Sequence, residues 1–384
     1  MSGLFELTET QRLIRDAARS FAAERVAPGA RQRDRERRFP ADLYREMGPL
    51  GLLGVSVAED LGGAGAGAVA YSLALTEIAA ACASTAVGMA VTNMVAEMIA
   101  REGTPEQRRR FVPRLVSGEA VAGAFSMSEP HSGSDAAALR TTGVRKGDRW
   151  ILNGSKQWVT SGGYAGVIVL VARTAVDGTH GLSCFLLESG TPGLVPGRPE
   201  DKMGLRASNT VPLALENCEV PAENLLGKEG EGFKIALRAL DGGRIGIASQ
   251  ALGVARAALE ASVRYAQDRR AFGSPIADFQ AIRWHLANMQ TELDAATLLT
   301  LRAGSRKEKG LPFTKDAAMA KLFATEMAQR ACDKAVQIHG GYGYIDEFPV
   351  ERYLRDARVQ TIYEGTSEIQ RFVIAREIIK SAGA

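Results

Sequence analysis

The sequence predicts an α+β multidomain chain: an N-terminal helical domain, a middle β-barrel domain and a C-terminal four-helix bundle. Three observations predict it. Apolar residues recur at helical spacing up to about residue 119. Short apolar runs then alternate with turns from 120 to 226, and long helical patterns fill the chain from 227 onward. The expected boundaries are therefore 1–119, 120–226 and 227–384. A length of 384 residues agrees with two or three domains at roughly 100–200 residues each. Hydrophobic residues make up 46% of the chain, enough for a sizeable core, which argues against disorder.

The elements follow in order. Thr8 and Gln11 have capping-box spacing, and Leu13, Ile14, Ala17, Ala18, Phe21 and Ala22 then repeat as one helical face. Pro28 is expected to end that helix. Further helices are expected after Pro40, Gly67 and Thr104. The last has an N-cap, a proline at its first position and an acidic first turn. The run Arg31–Arg38 mixes both charge signs and reads as a solvated face rather than a phosphate-binding strip. In the middle region Gly166–Val171, Leu182–Leu187 and Val211–Leu215 read as strands. Trp150–Leu152 is expected to end in an Asn153-Gly154 hairpin turn. From Gly232 to about Asp268 an unbroken helix is expected, over ~50 Å long at ~1.5 Å per residue, and so buried in a bundle or an oligomer interface. Helices at about 278–304, at 315–339 and from near Thr366 complete the bundle.

Composition removes several function classes. A formal net charge of +3 gives no reason to expect nucleic-acid binding. Cys82, Cys184, Cys218 and Cys332 are scattered and read as free thiols in a reducing compartment; with the four histidines they form no metal-ligand spacing. The apolar stretch near Leu73–Ala83 is broken by Thr76 and Glu77, so no membrane span is expected. The opening Met1–Glu6 has no targeting pattern, so a cytoplasmic, bacterial-type location is expected.

Four segments bear on chemistry. Gly63–Ala68 fits G-x-G-x-x-A, but a dinucleotide site needs a flanking βαβ unit and helix follows instead, so it reads as a connection. Phe125–Asp135 runs from a strand into a loop of small hydroxylated residues, which can present N–H groups and hydroxyls to a polar ring or phosphate, as many surface turns also do. Trp158, beside Thr160 and Gly162, either flanks an aromatic cofactor or closes the core of the β-domain. In Tyr363–Gln370, Ser367 and Gln370 have capping-box spacing. Glu364 then lies just outside a helix, next to a glycine that admits close ligand approach: a plain cap, or a base.

Taken together these segments resemble the acyl-CoA dehydrogenase family over essentially the whole chain. The matching pieces are Ser128-Glu129-Pro130 with Gly133-Ser134-Asp135, Trp158–Gly163, Asp201–Arg206, Arg269–Gly273, Gln337–Gly341 and Ile362–Ser367. Leu240–Gln250 is similar to the short-chain (butyryl-CoA) branch. The resemblance implies the acyl-CoA dehydrogenase fold, with FAD between the β-domain and the bundle. It places Phe125, Met127, Ser128 and Ser134 on the flavin loop, and Trp158 and Thr160 beside the ring. Arg269, Phe272, Gln280, Gln337, Gly340 and Gly341 match residues that reach FAD in a neighbouring subunit, and Thr366 and Glu368 match the dinucleotide side. Ser134, Asp241, Arg244 and Gly365 match positions on the acyl-CoA side. The implied partners are an acyl-CoA substrate, electron-transferring flavoprotein and three further copies in a homotetramer. His131 departs from the family, where a glycine is frequent.

The reaction so implied is α,β-dehydrogenation of a short-chain acyl-CoA to the trans-2-enoyl-CoA in fatty acid β-oxidation. Glu364 takes the α-proton and hydride passes to flavin N5. Two hydrogen bonds to the thioester oxygen, each contributing about 1.5–3 kcal/mol, would acidify the α-carbon by about 2–4 pKa units. Desolvation should raise the Glu364 pKa toward neutrality. Branches of the family that carry the base on the long helix place it near Gly242-Gly243, and glycines cannot serve. An oxidase, a dehydrogenase of carrier-tethered acyl groups and a non-catalytic scaffold are the competing readings.

Overall fold

The computed structural model describes residues 6–382; most of the opening segment from Met1, read above for a targeting signal, lies outside them. Thr8 and Gln11 close the expected capping box, each side chain accepting from the other's backbone N–H, and start helix α1 (Glu9–Phe21). Pro28 does not end it. The regular ladder gives way at Ala22, six residues earlier, to a wide turn (Ala22–Val26) and then a tight one (Ala27–Gly29). Pro28 sits at the start of that second turn, where its missing N–H costs nothing. The chain stays helical through α2 (Ala30–Glu36) and leaves it at Arg37, φ 54°. Next come α3 (Ala41–Met47), α4 (Gly67–Ala81), α5 (Ala83–Glu102) and α6 (Pro105–Val116), the last opened by the Thr104–Gln107 capping box. By length and composition α5 is apolar enough to cross a membrane, but most of it is buried against its neighbours in this fold. Gly63–Ala68 leads into α4, and among the described residues no strand precedes it.

The Arg31–Arg38 run is exposed as expected except at two positions. Arg33 and Asp34 are buried. Asp34 accepts from Arg355 at 2.8 Å, Arg31 and Arg35 pair with Asp346, and Arg37 pairs with Asp201. The alternating charges therefore join the first helices to later parts of the chain.

Eight strands follow: β1 (Gly123–Ser126), β2 (Thr142–Lys146), β3 (Arg149–Thr160), β4 (Val167–Arg173), β5 (Leu182–Glu188), β6 (Leu194–Pro196), β7 (Thr210–Pro221) and β8 (Leu225–Leu226). They pair in the order β6-β7-β3-β2-β4-β5-β8, with β1 parallel to β4. The sheet curls around a core that includes Leu152, Leu170 and Leu213, where Trp150 meets Phe185 edge to face at 5.3 Å. Asn153-Gly154 is not the hairpin turn. It is a bulge inside β3, where the register to β7 shifts between Leu152 and Gly154. Gly154 has φ 145°, and a Cβ there would lie 2.6 Å from Thr141 Oγ1, so only glycine fits. The β2–β3 turn lies instead at Gly147, φ 61°.

The chain then enters α7 (Gly232–Asp268), whose 37 residues span about 55 Å. A short ribbon of β9 (Arg270–Ala271) and β10 (Ser274–Pro275) leads to α8 (Gln280–Glu308) and α9 (Thr314–His339). After α9 comes α10 (Val350–Arg358), which the sequence reading did not anticipate, and then α11 (Ser367–Ala382). Alanines at 248, 251, 255 and 258 of α7 share one core with those at 317, 320, 324 and 328 of α9. Small side chains let these backbones approach closely. The same holds between α4 and α7: a Cβ at Gly253 would meet Thr76 O at 2.4 Å. Gly204, in the Asp201–Arg206 motif, is equally tight against α10, 2.2 Å from Arg355 O by the same measure. Asp356 of α10 accepts from Leu205 N at 2.6 Å. All four cysteines are buried and free.

Removing one partner of a fully buried ion pair costs about 3–5 kcal/mol. Because Arg355 is partly exposed, Asp34→Ala is expected to cost about 2–3 kcal/mol, read as a lower denaturant midpoint. Arg25→Ala, which removes an exposed pair with Glu46, should leave the midpoint nearly unchanged.

Candidate active site

The turn that carries Glu364 is strained. Glu364 has φ 54° and Gly365 φ 88°, two consecutive left-handed residues. Holding a non-glycine residue there costs about 1–3 kcal/mol, so the surroundings must enforce it. Two side chains do. Gln370 Nε2 donates to Glu364 O (3.2 Å) and Gly365 O (2.8 Å), and Lys321 Nζ on α9 donates to the same Gly365 O at 2.8 Å. The expected Ser367–Gln370 capping box is thus replaced. Thr366 caps α11, its Oγ1 accepting from Ile369 N at 3.3 Å, while Ser367 Oγ is buried without a partner. Gln370 is turned back to the turn instead.

Although Glu364 as a whole is only half-buried, its Oε2 is fully enclosed and has no hydrogen-bond partner. Burial pushes its pKa up to about 7, while Arg244 and Lys321 pull it down. A Cβ at Gly243 would lie 2.7 Å from Oε2 and 3.3 Å from Met94 Sδ, so the absent side chain at 243 is what leaves room for the carboxylate. Arg244, one residue on, is buried and held by Asp241 at 2.5 Å, whose other oxygen accepts from Thr314 Oγ1 at 2.6 Å. Tyr363 donates to Gln250. Asp241, Arg244, Glu364 and Gly365 thus converge on one place, as the sequence implied. Tyr71, Met94, Gly242 and Gly243 line a narrow cleft there, which also reaches Arg101, Glu102 and Arg238.

The Phe125–Asp135 loop is bolted to β3. Glu129 accepts from Arg140 N (2.8 Å), Thr141 N (3.0 Å) and the buried Lys156 Nζ (2.8 Å); Lys156 also donates to Met127 O (3.1 Å), and Gln157 N to Ser128 O (2.9 Å). Burial holds Lys156 down to about 8 against the raising effect of Glu129. Trp158, two residues on, has φ 61° and is 61% exposed, which removes the reading of a core tryptophan. Core closure falls to Trp150 instead. Phe125 and Met127 pack in the same cluster as Met94, so the loop lies beside the helix that borders Glu364. Ser134 is exposed, and among the described residues no hydrogen bond joins it to the Glu364 group.

A second, larger cavity lies on the bundle. Arg269, Gly340 and Gly341 border it with Tyr265, His339 and Tyr342. Tyr265 stacks on His339 at 4.2 Å, and nothing lies within 4 Å of a Cβ built on Gly340 or Gly341. Phe272 is 98% exposed with φ 50°, and Gln280, Gln337 and Glu368 are also exposed. Within one chain the bundle residues Arg269, Phe272, Gln280, Gln337, Gly340 and Gly341 lie apart from the Glu364 cleft, and Phe272, Gln280 and Gln337 do not line the cavity; Glu368 instead follows the Glu364 turn at the start of α11. The sequence reading missed Lys321 and Met94. Lys321 did leave a signal: one lysine on the otherwise apolar stripe Ala317, Ala320, Ala324, Ala328.

Three family models match the chain in order: acyl-CoA dehydrogenase N-terminal domain over residues 8–119, middle domain over 124–218 and C-terminal domain over 230–379. The chain belongs to the acyl-CoA dehydrogenase family. It is a FAD-dependent oxidoreductase acting on acyl-CoA. It is 49% identical over 378 residues to the mitochondrial short-chain specific acyl-CoA dehydrogenase of Mus musculus, covering 98% of this chain and 92% of that one. Among solved structures it is similar to butyryl-CoA dehydrogenase from Megasphaera elsdenii (TM-score 0.96, 42% identity, 98% and 99% of the two chains). It is also similar to a chain from the structural study of the electron-transferring flavoprotein of Acidaminococcus fermentans (TM-score 0.96, 44% identity, 97% and 99%).

The residues of this acyl-CoA dehydrogenase fit a flavin. The Ser126 and Ser161 hydroxyls are buried without partners at the ends of β1 and β3, and Trp158 presents an uncovered indole between them in sequence. A planar ring with a polar edge meets both needs. Gly243→Ala should leave flavin content and thermal midpoint close to those of the parent. Turnover should fall about ten- to hundredfold in a steady-state assay, because displacing a reacting group by ~1 Å costs about that much.

Proposed function

We propose that this enzyme dehydrogenates short-chain acyl-CoA thioesters to trans-2-enoyl-CoA with Glu364 as the base. The observation that carries this reading is the enclosed, partnerless Oε2 of Glu364 beside a narrow cleft. A carboxylate whose pKa lies near 7 is ionised enough to accept a proton at neutral pH and basic enough to take one from carbon. Gly243 leaves Oε2 room to reach the α-carbon, and the αL turn fixes its direction. Arg244, held by Asp241, keeps positive charge beside the anion before it accepts the proton. When bound, FAD supplies the acceptor for the hydride leaving the β-carbon. Phe125, Met127, Ser128, Trp158 and Thr160 are the residues that would hold its ring.

The short-chain preference is supported by the mouse and Megasphaera relatives and by the narrowness of the cleft. A homotetramer is supported by the large apolar side chains left uncovered on the bundle, among them Phe272, Tyr344, Phe372 and Ile379. In it, Arg269, Phe272, Gln280, Gln337, Gly340 and Gly341 would meet the FAD of a neighbouring subunit, and Thr366 and Glu368 the dinucleotide of their own. Electron-transferring flavoprotein as acceptor is supported by the Acidaminococcus relative. A place in fatty acid β-oxidation and a cytoplasmic location belong to the same proposal.

Anaerobic bleaching of the flavin across a panel of acyl-CoA and carrier-tethered thioesters should be fastest with four-carbon acyl-CoA. Glu364→Gln should keep the flavin spectrum and lose bleaching; bleaching at the parent rate would show that another group is the base. Because Glu364 must be ionised to act, kcat/KM should rise with pH through about 7 and level off above it.

A further inference from the structure

α9 buries a stripe of alanines against α7, and in the middle of it stands Lys321, with no exposed surface at all. Taking an ammonium out of water is costly, and buried lysines are ordinarily paired with a carboxylate. Among the described residues, Lys321 Nζ makes no ion pair, and its one hydrogen bond is to Gly365 O at 2.8 Å. A neutral donor would serve there equally well. Indeed one already does, since Gln370 Nε2 reaches the same oxygen at 2.8 Å. The hydrogen bond is therefore duplicated and the charge is not.

The charges around Lys321 show what that cation faces. From α7 comes Arg244, but Asp241 neutralises it at 2.5 Å. From α11 comes Glu368, which is exposed, and on α9 itself Glu326, which pairs with Arg371 at 2.6 Å. The phenols of Tyr71 on α4 and Tyr363 stand near Glu364, with burial holding both protonated. With Arg244 answered by Asp241 and Glu326 by Arg371, the enclosed carboxylate of Glu364 is the buried anion left for Lys321. Lys321 Nζ grips the carbonyl of the residue that follows Glu364, at 2.8 Å.

We propose that Lys321 is a positioning residue for the dehydrogenation: it fixes the Glu364–Gly365 turn through the Gly365 carbonyl and acts as the buried counterion that keeps the Glu364 carboxylate ionised before each turnover. The proposal rests on the reading of Glu364 as the base. Burial pushes Lys321 down to about 7 and Glu364 up to about 7, and each holds the other toward its charged form. The proton taken from the α-carbon neutralises Glu364 and leaves Lys321 without its counterion. The lysine therefore favours release of that proton to solvent once product has left, which returns the base to its working state.

The test uses the holoenzyme with Lys321→Met, which keeps the length of the stem and removes charge and hydrogen bond, and Lys321→Gln, which removes the charge and keeps an N–H donor on a stem one bond shorter. Both should keep the flavin spectrum and hold KM within about threefold. In both, the ascending limb of the kcat pH profile should move up by about one unit, so that kcat falls about fivefold at pH 7 and about tenfold at pH 6 and below, and activity returns at pH 9. Lys321→Arg, which restores charge, should leave the limb near its parent position. A limb that does not move in the Met and Gln variants overturns the proposal, as does a loss that is equal at every pH. Failure of both variants to hold flavin or fold also overturns it, since the lysine is then structural. Parent-like turnover in Glu364→Gln would remove the reading beneath the proposal; a dead Glu364→Gln with an unmoved limb in the Lys321 variants would remove only the role of Lys321.

Discussion

A carboxylate enclosed by protein loses most of the solvation that keeps it charged, and the site around Glu364 is organised by that loss. Met94 and the tyrosines exclude water, Gly243 leaves the space, and two cations set against the enclosed oxygen keep the anion within reach of neutrality. The turn itself is strained, so two donors converge on one carbonyl to hold it. None of these features has an evident purpose alone. The buried lysine would be an expense without the carboxylate, and the glycine would be a weak point in a long helix without the oxygen it makes room for.

Much of this was legible in the sequence, and the reasons it was or was not are local. The capping box at Thr8 and the N-cap at Thr104 are four-residue patterns and formed as read, the second closing into a box with Gln107 that had not been read. The helices of the bundle announced themselves by periodicity. Glu364, Asp241 and Arg244 were found through motif resemblance, because only a shared pattern links positions more than 100 residues apart. The misreadings share one cause: a local signal outweighed by a distant partner. Asn153-Gly154 has turn chemistry, but β7 pairs on both sides of it, and it became a bulge. Ser367 has cap chemistry, yet Gln370 was claimed by the strained turn, leaving the cap to Thr366. Within the solvated charge run Arg31–Arg38, Asp34 is buried because Arg355 of α10 comes to meet it. Lys321 showed as a lone charge on an apolar stripe, but its role did not, because nothing in its own helix shows that a carbonyl 44 residues later needs it.

The β-domain and the bundle carry unequal shares of the site. The bundle supplies the carboxylate on its strained turn before α11, and both cations on long helices packed through alanine and glycine. The β-domain supplies a loop whose rigidity comes from one buried ion pair, Glu129 with Lys156, and three backbone N–H groups. Both members of that pair are hydrogen-bonded beyond each other, Lys156 to Met127 O and Glu129 to two backbone N–H groups, which favours a single conformation. Trp158 follows Lys156 by two residues, so its exposed indole stands on a fixed base despite lying at the surface.

The ion pair between Asp34 and Arg355 joins residues 321 positions apart. At roughly 5–20 residues per second on a ribosome, Arg355 emerges roughly 16–64 s after Asp34. Throughout that interval the nascent first domain holds an aspartate destined for burial with no cation to meet it. It must stay open there or keep Asp34 in water until α10 arrives. Completion of the N-terminal domain is thereby made to wait for almost the last part of the chain, the same part that brings Glu364.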